Sequence, residues 1–211
     1  MARGRFITFE GGEGAGKSTQ IALLATRLQA AGVEVVRTRE PGGSTGAEAI
    51  RELVVKGAAD RWSPMTETLL MYAARRDHIE RVVEPSLHAG AWVLSDRFAD
   101  STRAYQGAAG GVRGEFLDGL ETHVLERVIP DLTLILDLPE SVGLERAAAR
   151  RDDEGRFESK GLAFHARLRE AYRDIAAAQP DRCVLINAAG PPEAVAEAIW
   201  SAMRTRLDVA A

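Results

Sequence analysis

The chain of 211 residues has a single cysteine, Cys183, so no internal disulfide can form and the fold cannot depend on an oxidising compartment. Cys183 stands in the apolar run Cys183-Val184-Leu185-Ile186, where a thiol reads as a small buried hydrophobe. No run of about 18 apolar residues occurs, so no transmembrane helix and no membrane partner is expected. Met1-Ala2-Arg3-Gly4-Arg5 leads straight into a strand-like segment with no apolar signal region, and the expected compartment is the cytoplasm. Net charge is slight, −4, which argues against a nucleic-acid-coating protein but leaves room for a local basic pocket. The only asparagine, Asn187, precedes Ala188, so the guanine-reading N-K-x-D motif of GTPases is absent. Neither repeats nor linker-like stretches interrupt residues 1–211, which predicts one domain.

What is present is an alternation. Short apolar runs fall at Arg5–Glu10, Val33–Thr38, Ala91–Ser95, Leu132–Leu138 and Cys183–Asn187. Helical patterns lie between and after them, over Lys17–Ala31, Ala47–Lys56, Pro64–Ala89, Arg113–Arg127, Ser141–Arg150, Lys160–Ala178 and Glu193–Leu207. Continuous apolar runs suit parallel strands buried on both faces, and the β/α alternation predicts an α/β fold with a five-stranded parallel sheet flanked by helices. Two segments break the pattern: Gly107–Gly111, read as a flexible turn, and the polar stretch Arg150–Arg156.

Gly11-Gly12-Glu13-Gly14-Ala15-Gly16-Lys17-Ser18 fits G-x-x-x-x-G-K-[ST] between a strand and a helix, the context a P-loop requires. Glycines let backbone N–H groups wrap phosphate oxygens, and the following helix adds its positive end. Lys17 is placed to meet the β- and γ-phosphates of a nucleoside triphosphate, and Ser18 to offer a hydroxyl to Mg²⁺. A carboxylate inside such a loop, Glu13, repels phosphate unless it has another task, such as accepting a hydrogen bond from an acceptor hydroxyl.

Further candidates follow the strands, where doubly wound sheets bind ligands. Arg39-Glu40-Pro41-Gly42-Gly43 ends the second strand and Asp96-Arg97 the third. Asp96 could reach a metal through water and Arg97 could fork onto phosphate, although an Asp-Arg pair can equally be a local ion pair. Ser101-Thr102-Arg103-Ala104-Tyr105-Gln106-Gly107 offers hydroxyls, an amide and a ring suited to a pyrimidine and a ribose, or an ordinary helix start with a packed tyrosine. In the long helix from Pro64, His78 reads as structural.

Taken in order, Phe9 to Thr19, Thr38 to Gly43, Tyr72-Ala73-Ala74-Arg75, Asp96-Arg97 and Ser101 to Gly107 resemble the thymidylate kinase family over nearly the whole chain. The P-loop is generic; Arg-Glu-Pro-Gly-Gly and Ala-Tyr-Gln-Gly are specific to bacterial members. The resemblance implies a P-loop nucleoside monophosphate kinase fold, a homodimer, and transfer of the γ-phosphoryl group of Mg·ATP to deoxythymidine monophosphate (dTMP). It implies that Glu13 binds the sugar 3′-hydroxyl and that Arg97 bridges the acceptor phosphate and the transferring group. Glu40 and Arg51 would line the acceptor site. Arg75, Thr102 and Gln106 would read thymine with Ser101 nearby, Tyr105 would crowd the sugar 2′ position, and Asp96 would order the metal.

Family members differ in where the catalytic arginine sits, and some carry it in the P-loop. Here Gly14 occupies that position, while Arg146, Arg150, Arg151 and Arg156 cluster in and around the polar segment, which resembles the type with a lid arginine at about 146–158. Arg146 and Arg150, four apart, would share a helix face. One departure stands out. Met71 replaces the phenylalanine that usually stacks on thymine; its thioether can still pack on a ring. Two other readings are open at this level: a kinase for another nucleoside monophosphate, and a nucleotide-binding regulatory module without catalysis.

Overall fold

The computed structural model describes residues 3–58, 60–149 and 156–207. They form five strands: β1 (Phe6–Glu10), β2 (Val35–Arg39), β3 (Trp92–Asp96), β4 (Leu132–Asp137) and β5 (Cys183–Asn187). All pair in parallel, in the order β2-β3-β1-β4-β5. The chain leaves β1 for β2 across β3, and leaves β3 for β4 across β1. The connections therefore diverge between β1 and β3, and the crevice at their carboxyl ends is where such sheets hold ligands. Register brings Phe9 and Arg39 opposite Asp96 on its two sides, so the ends of β1, β2 and β3 meet at one point.

Period-two alternation sorts the strand residues between two cores. Ile7, Phe9, Leu132, Leu134 and Leu136 pack with α1 (Lys17–Ala30) and α9 (Pro192–Leu207) through Leu24, Leu28, Ile199 and Met203. Phe6 and Val93 face the other way, onto Ile79, Val83, Leu87 and Phe98. Thr8 and Thr133 share that second face and hydrogen-bond to each other at 2.8 Å. Ile135 joins Phe164, Leu168 and Tyr172 of α8 (Leu162–Ala178) there, beside the buried Cys183, whose thiol burial pushes up to about 11. Edge strand β2 is only partly covered.

Two elements differ from the expected pattern. The helix expected over Pro64–Ala89 is α3 (Pro64–His78), a π-helical stretch at Ile79–Val83 and α4 (Glu84–His88). Pro85 cannot donate to the carbonyl one turn back and its ring would strike it, and widening the preceding turn relieves both. The expected turn at Gly107–Gly111 begins inside a helix. Ala99–Thr102 is α5 and Arg103–Ala108 continues it with π geometry before the chain turns. The other helices are α2 (Thr45–Val55), α6 (Gly114–Val124) and α7 (Glu140–Ala148). Among the described residues no helix is long and apolar enough to cross a membrane.

Candidate active site

The loop after β1 turns through Gly11 to Gly16 into α1. Lys17 curls back and its buried Nζ donates to the carbonyls of Gly11 (3.2 Å) and Gly12 (3.0 Å). Burial and the charge of Arg97 lower its pKa. Gly14 has φ +68° and a Cβ there would lie 2.0 Å from the carbonyl oxygen of Gly143 on α7. Gly143 answers in kind, since its own Cβ would lie 2.4 Å from the Glu13 carbonyl oxygen. Loop and helix thus touch backbone to backbone, and only glycine fits on either side.

Ser18 Oγ donates to Asp96 Oδ2 at 3.0 Å, joining the start of α1 to the end of β3. Arg97 follows with φ +71°, a left-handed conformation rare for a long side chain. Its guanidinium lies 4.8 Å over the Tyr105 ring, and Nη2 donates to Glu13 Oε1 at 3.1 Å. The Tyr105 hydroxyl donates to the same oxygen at 2.6 Å. Burial works against the Glu13 carboxylate, but the charges of Arg97 and Lys17 and the Tyr105 hydrogen bond outweigh it and bring its pKa down to about 2.

From this point a cavity of about 290 Å³ runs over the carboxyl ends of β2 and β3 toward α3. Met71 and Arg75, one turn apart on α3, line it, with Thr102 and Gln106 one turn apart on the facing helix. Arg75 is buried. Its Nε donates to Glu40 Oε2 (2.7 Å), and its Nη2 to the Phe98 carbonyl (3.0 Å) and Thr102 Oγ1 (3.1 Å). Its Nη1 is buried with no hydrogen-bond partner among the described residues. Burial pushes the Glu40 carboxyl up, yet Arg75 and His78 outweigh that and hold it below its ordinary value. His78 Nδ1 meets Glu40 Oε1 at 2.9 Å and its Nε2 meets Thr38 Oγ1 at 2.7 Å, the structural place expected of it. Gln106 Nε2 donates to Glu67 Oε1 at 2.7 Å. Arg51 Nη1 donates to the Pro41 carbonyl at 2.8 Å at the cavity's other wall.

The structure therefore gathers Glu13, Lys17, Ser18, Glu40, Arg51, Met71, Arg75, Asp96, Arg97, Ser101, Thr102, Tyr105 and Gln106 around one cavity. Of the arginines grouped from Arg146 on, the two among the described residues, Arg146 and Arg156, do not line this cavity. Arg156 is buried: it pairs with Glu67 and donates to the carbonyls of Ala58 (2.9 Å) and Val54 (3.0 Å). It anchors the wall behind Gln106 instead of joining a solvated basic loop. Arg146 is exposed on α7 and lines a second cavity of about 320 Å³ with Gly14, Ala15, Gly16 and Gln20. The helix expected to reach Arg150 ends at Ala148, and Arg150 and Arg151 lie outside the described residues.

Sequence reasoning missed Glu67, Phe157 and Gln20. Phe157 lines the first cavity, edge-on to Tyr105 at 5.5 Å between centroids, and follows the polar segment that drew notice only for its charges. Gln20 donates through Nε2 to the Pro192 carbonyl at 2.9 Å, while its Oε1 is buried without a partner among the described residues.

Comparison with known proteins gives the family. The family model described as thymidylate kinase matches residues 9–199. A thymidylate kinase of Caulobacter vibrioides is 65% identical over 207 residues, covering 98% of this chain and 99% of the relative. One from Bradyrhizobium diazoefficiens is 57% identical over 207 residues, covering 97% and 91%. The crystal structure of a thymidylate kinase from Ehrlichia chaffeensis superposes with a TM-score of 0.79 at 33% identity, covering 95% of this chain and 99% of that one. By sequence and by fold, this chain belongs to the thymidylate kinase family.

Proposed function

We propose that the chain transfers the γ-phosphoryl group of ATP to dTMP, giving the diphosphate and ADP for deoxythymidine triphosphate synthesis. The observation that carries the choice of acceptor is Arg75 Nη1, a buried charged N–H with no hydrogen-bond partner among the described residues, on a side chain that lines the 290 Å³ cavity. A buried donor without a partner favours a ligand that brings a carbonyl oxygen, as the 4-position of thymine does. Met71 and Phe157 supply apolar walls for the ring, and Thr102 and Gln106 add polar edges. Tyr105, held by Glu13, faces the sugar, where its ring would crowd a 2′-hydroxyl.

The chemistry needs positioning and charge neutralisation more than covalent help. The amides of Gly11 to Gly16 and Lys17 hold the donor phosphates, and Arg97 aligns the acceptor phosphate against them. Ser18 Oγ and Asp96 Oδ2 are adjacent hard oxygens of the kind Mg²⁺ takes beside phosphate oxygens, so these two residues would hold it. Bound there, the ion supplies further neutralisation of phosphate charge. Gly14 leaves the loop itself without an arginine, so a further cation must come from the segment 146–158. Arg146 and Arg150, with Arg151, are its candidates. The enzyme works as a cytoplasmic homodimer, and exposed Met65 and Leu69, one turn apart on α3, offer apolar surface for the second copy.

The test is ADP release in a coupled assay with dTMP, UMP, CMP and AMP as acceptors. dTMP is expected to give the highest kcat/KM, and Lys17→Ala to abolish turnover with the fold intact. A preference for AMP or CMP would overturn the acceptor assignment. Near-normal turnover by Lys17→Ala would overturn the P-loop assignment.

A further inference from the structure

Alternation along β1 puts Glu10 on the same face as Phe6 and Thr8, pointing away from the α1 core. It is fully buried, directly before the phosphate loop, and does not line the acceptor cavity. Oε1 accepts from the Phe98 backbone N–H at 2.8 Å. Oε2 accepts from Ser101 Oγ at 2.6 Å and from the Tyr172 hydroxyl at 3.1 Å. Those two hydroxyls lie 2.9 Å apart, and each also accepts from Arg97 Nη1 at 3.2 Å.

The proton count in this cluster is decisive. Three oxygens, Glu10 Oε2, Ser101 Oγ and Tyr172 Oη, share two hydroxyl protons. While Glu10 is a carboxylate, both protons can be directed toward it or toward each other, and lone pairs are left to face Arg97. A protonated Glu10 fills all three edges of this triangle with protons and removes the negative charge that Arg97 senses. An amide in its place brings two N–H groups, four protons for three edges, and leaves one hydroxyl proton turned toward the guanidinium, donor against donor. Glu10 also grips the peptide just after Arg97 through the Phe98 N–H, and that is the peptide following the left-handed residue.

We propose that Glu10 is a positioning residue: as a carboxylate it sets the polarity of the Ser101–Tyr172 hydroxyl pair and anchors the backbone after Arg97, so that the guanidinium is held where it aligns the acceptor phosphate. This rests on the role given to Arg97 above. Burial, then the neighbouring Asp100, raise the Glu10 pKa to about 7 against the opposing pull of Ser101, Arg97 and the Phe98 N–H. The other charged or titratable groups that sense it are Lys17 on α1, Tyr172 on α8, and Arg182 and Cys183 at β5. The sign follows: the active carboxylate is lost as pH falls through about 7.

Glu10→Gln preserves volume and reverses one donor, and is measured with Tyr172→Phe and Arg97→Ala. Glu10→Gln is expected to lower kcat/KM for dTMP by about ten- to a hundredfold, the scale of a misplaced aligning group, with KM for ATP within about twofold. The acceptor phosphate titrates near pH 6 in every variant, so the informative quantity is the ratio of wild type to Glu10→Gln across pH 6 to 8.5. That ratio should grow with pH through about 7 and then level off. Tyr172→Phe, which keeps Glu10 and removes one hydroxyl, should lower kcat severalfold and decides the matter if Glu10→Gln does not fold. Wild-type rates from both variants, or a pH-independent ratio, overturn the proposal. If Arg97→Ala is inactive while they stay active, only the Glu10 linkage falls; if Arg97→Ala itself is active, the role of Arg97 falls first.

Discussion

The cavities on the two sides of the phosphate loop are close in size, about 290 and 320 Å³, but their walls differ. The acceptor side is built from buried charges tied to one another, Arg75 to Glu40 and Glu40 to His78, with Gln106 on Glu67 and Glu67 on Arg156. The second side, which continues from the loop toward the start of α9, is mostly Gly, Ala, Val and Pro, with the Gln20 amide and exposed Arg146. Among the described residues each side leaves one buried polar atom unpaired, and the two are of opposite kind: a donor, Arg75 Nη1, and an acceptor, Gln20 Oε1. An unpaired donor selects a carbonyl, as in thymine; an unpaired acceptor selects an amino group, as in adenine. The guanidinium is fixed by three other hydrogen bonds, whereas the amide has one and can rotate to exchange its two ends. Selectivity should therefore be strict for the acceptor and loose for the donor.

The largest expected effect is on the acceptor base. Replacing dTMP by dCMP, which presents an amino group to Arg75, should lower kcat/KM by roughly 10³ or more, as for sites whose buried polar groups are left unpaired by the wrong ligand. Comparable activity on both would break the contrast at its root.

Next in size is the stability held in the acceptor wall. Arg75→Met strands the Glu40 carboxylate and should cost about 3–5 kcal/mol at pH 7, read from urea unfolding. Glu40 has a depressed pKa, so its stabilisation is present above the unfolded value near 4.3 and is lost as pH falls through the folded one. The deficit of Arg75→Met should therefore hold from about pH 7 to 5 and shrink as pH falls below about 4. A deficit that stays constant down to about pH 3 would mean that packing, not the ion pair, is lost.

Smaller again is the sugar effect. Tyr105→Ala should reduce the preference for deoxythymidine over ribothymidine monophosphate about tenfold, a discrimination of the size one packed group gives. An unchanged ratio of kcat/KM values would remove Tyr105 from the sugar pocket. The smallest effect is on the donor. GTP in place of ATP should cost only about 1 kcal/mol, the net value of one hydrogen bond and roughly fivefold in kcat/KM. Gln20→Leu should abolish even that difference. A donor preference as steep as the acceptor preference would show that the Gln20 amide is as rigid as Arg75.

Local features were legible before the fold was known. Strand limits lie within two residues of those expected, because every run of β-formers but the last ends at Gly, Pro or charge. The phosphate loop is legible because its spacing alone dictates its geometry. What could not be read depends on contacts between distant residues. Glu40, Arg75 and His78 converge only once β2 and α3 are side by side. Arg156 has the neighbours of a basic loop in sequence and the neighbours of a core ion pair in space. Glu10 looks like the polar end of a strand, and nothing nearby in sequence reveals Ser101 and Tyr172 around it. The break in the helix after His78 was legible in principle from Pro85, but apolar periodicity ran straight through it.

The contact between Gly14 and Gly143 has a consequence for how an enzyme of this design can change. An arginine at position 14 would have to displace α7, the helix that carries Arg146 and leads toward Arg150. The two homes for a catalytic arginine are thus not separate slots that could be filled one after the other. The seat that presses α7 against the loop is formed by the very absence of a side chain at position 14. A chain moving from one solution to the other must lose the second as it gains the first, and a single substitution at Gly14 meets a closed door.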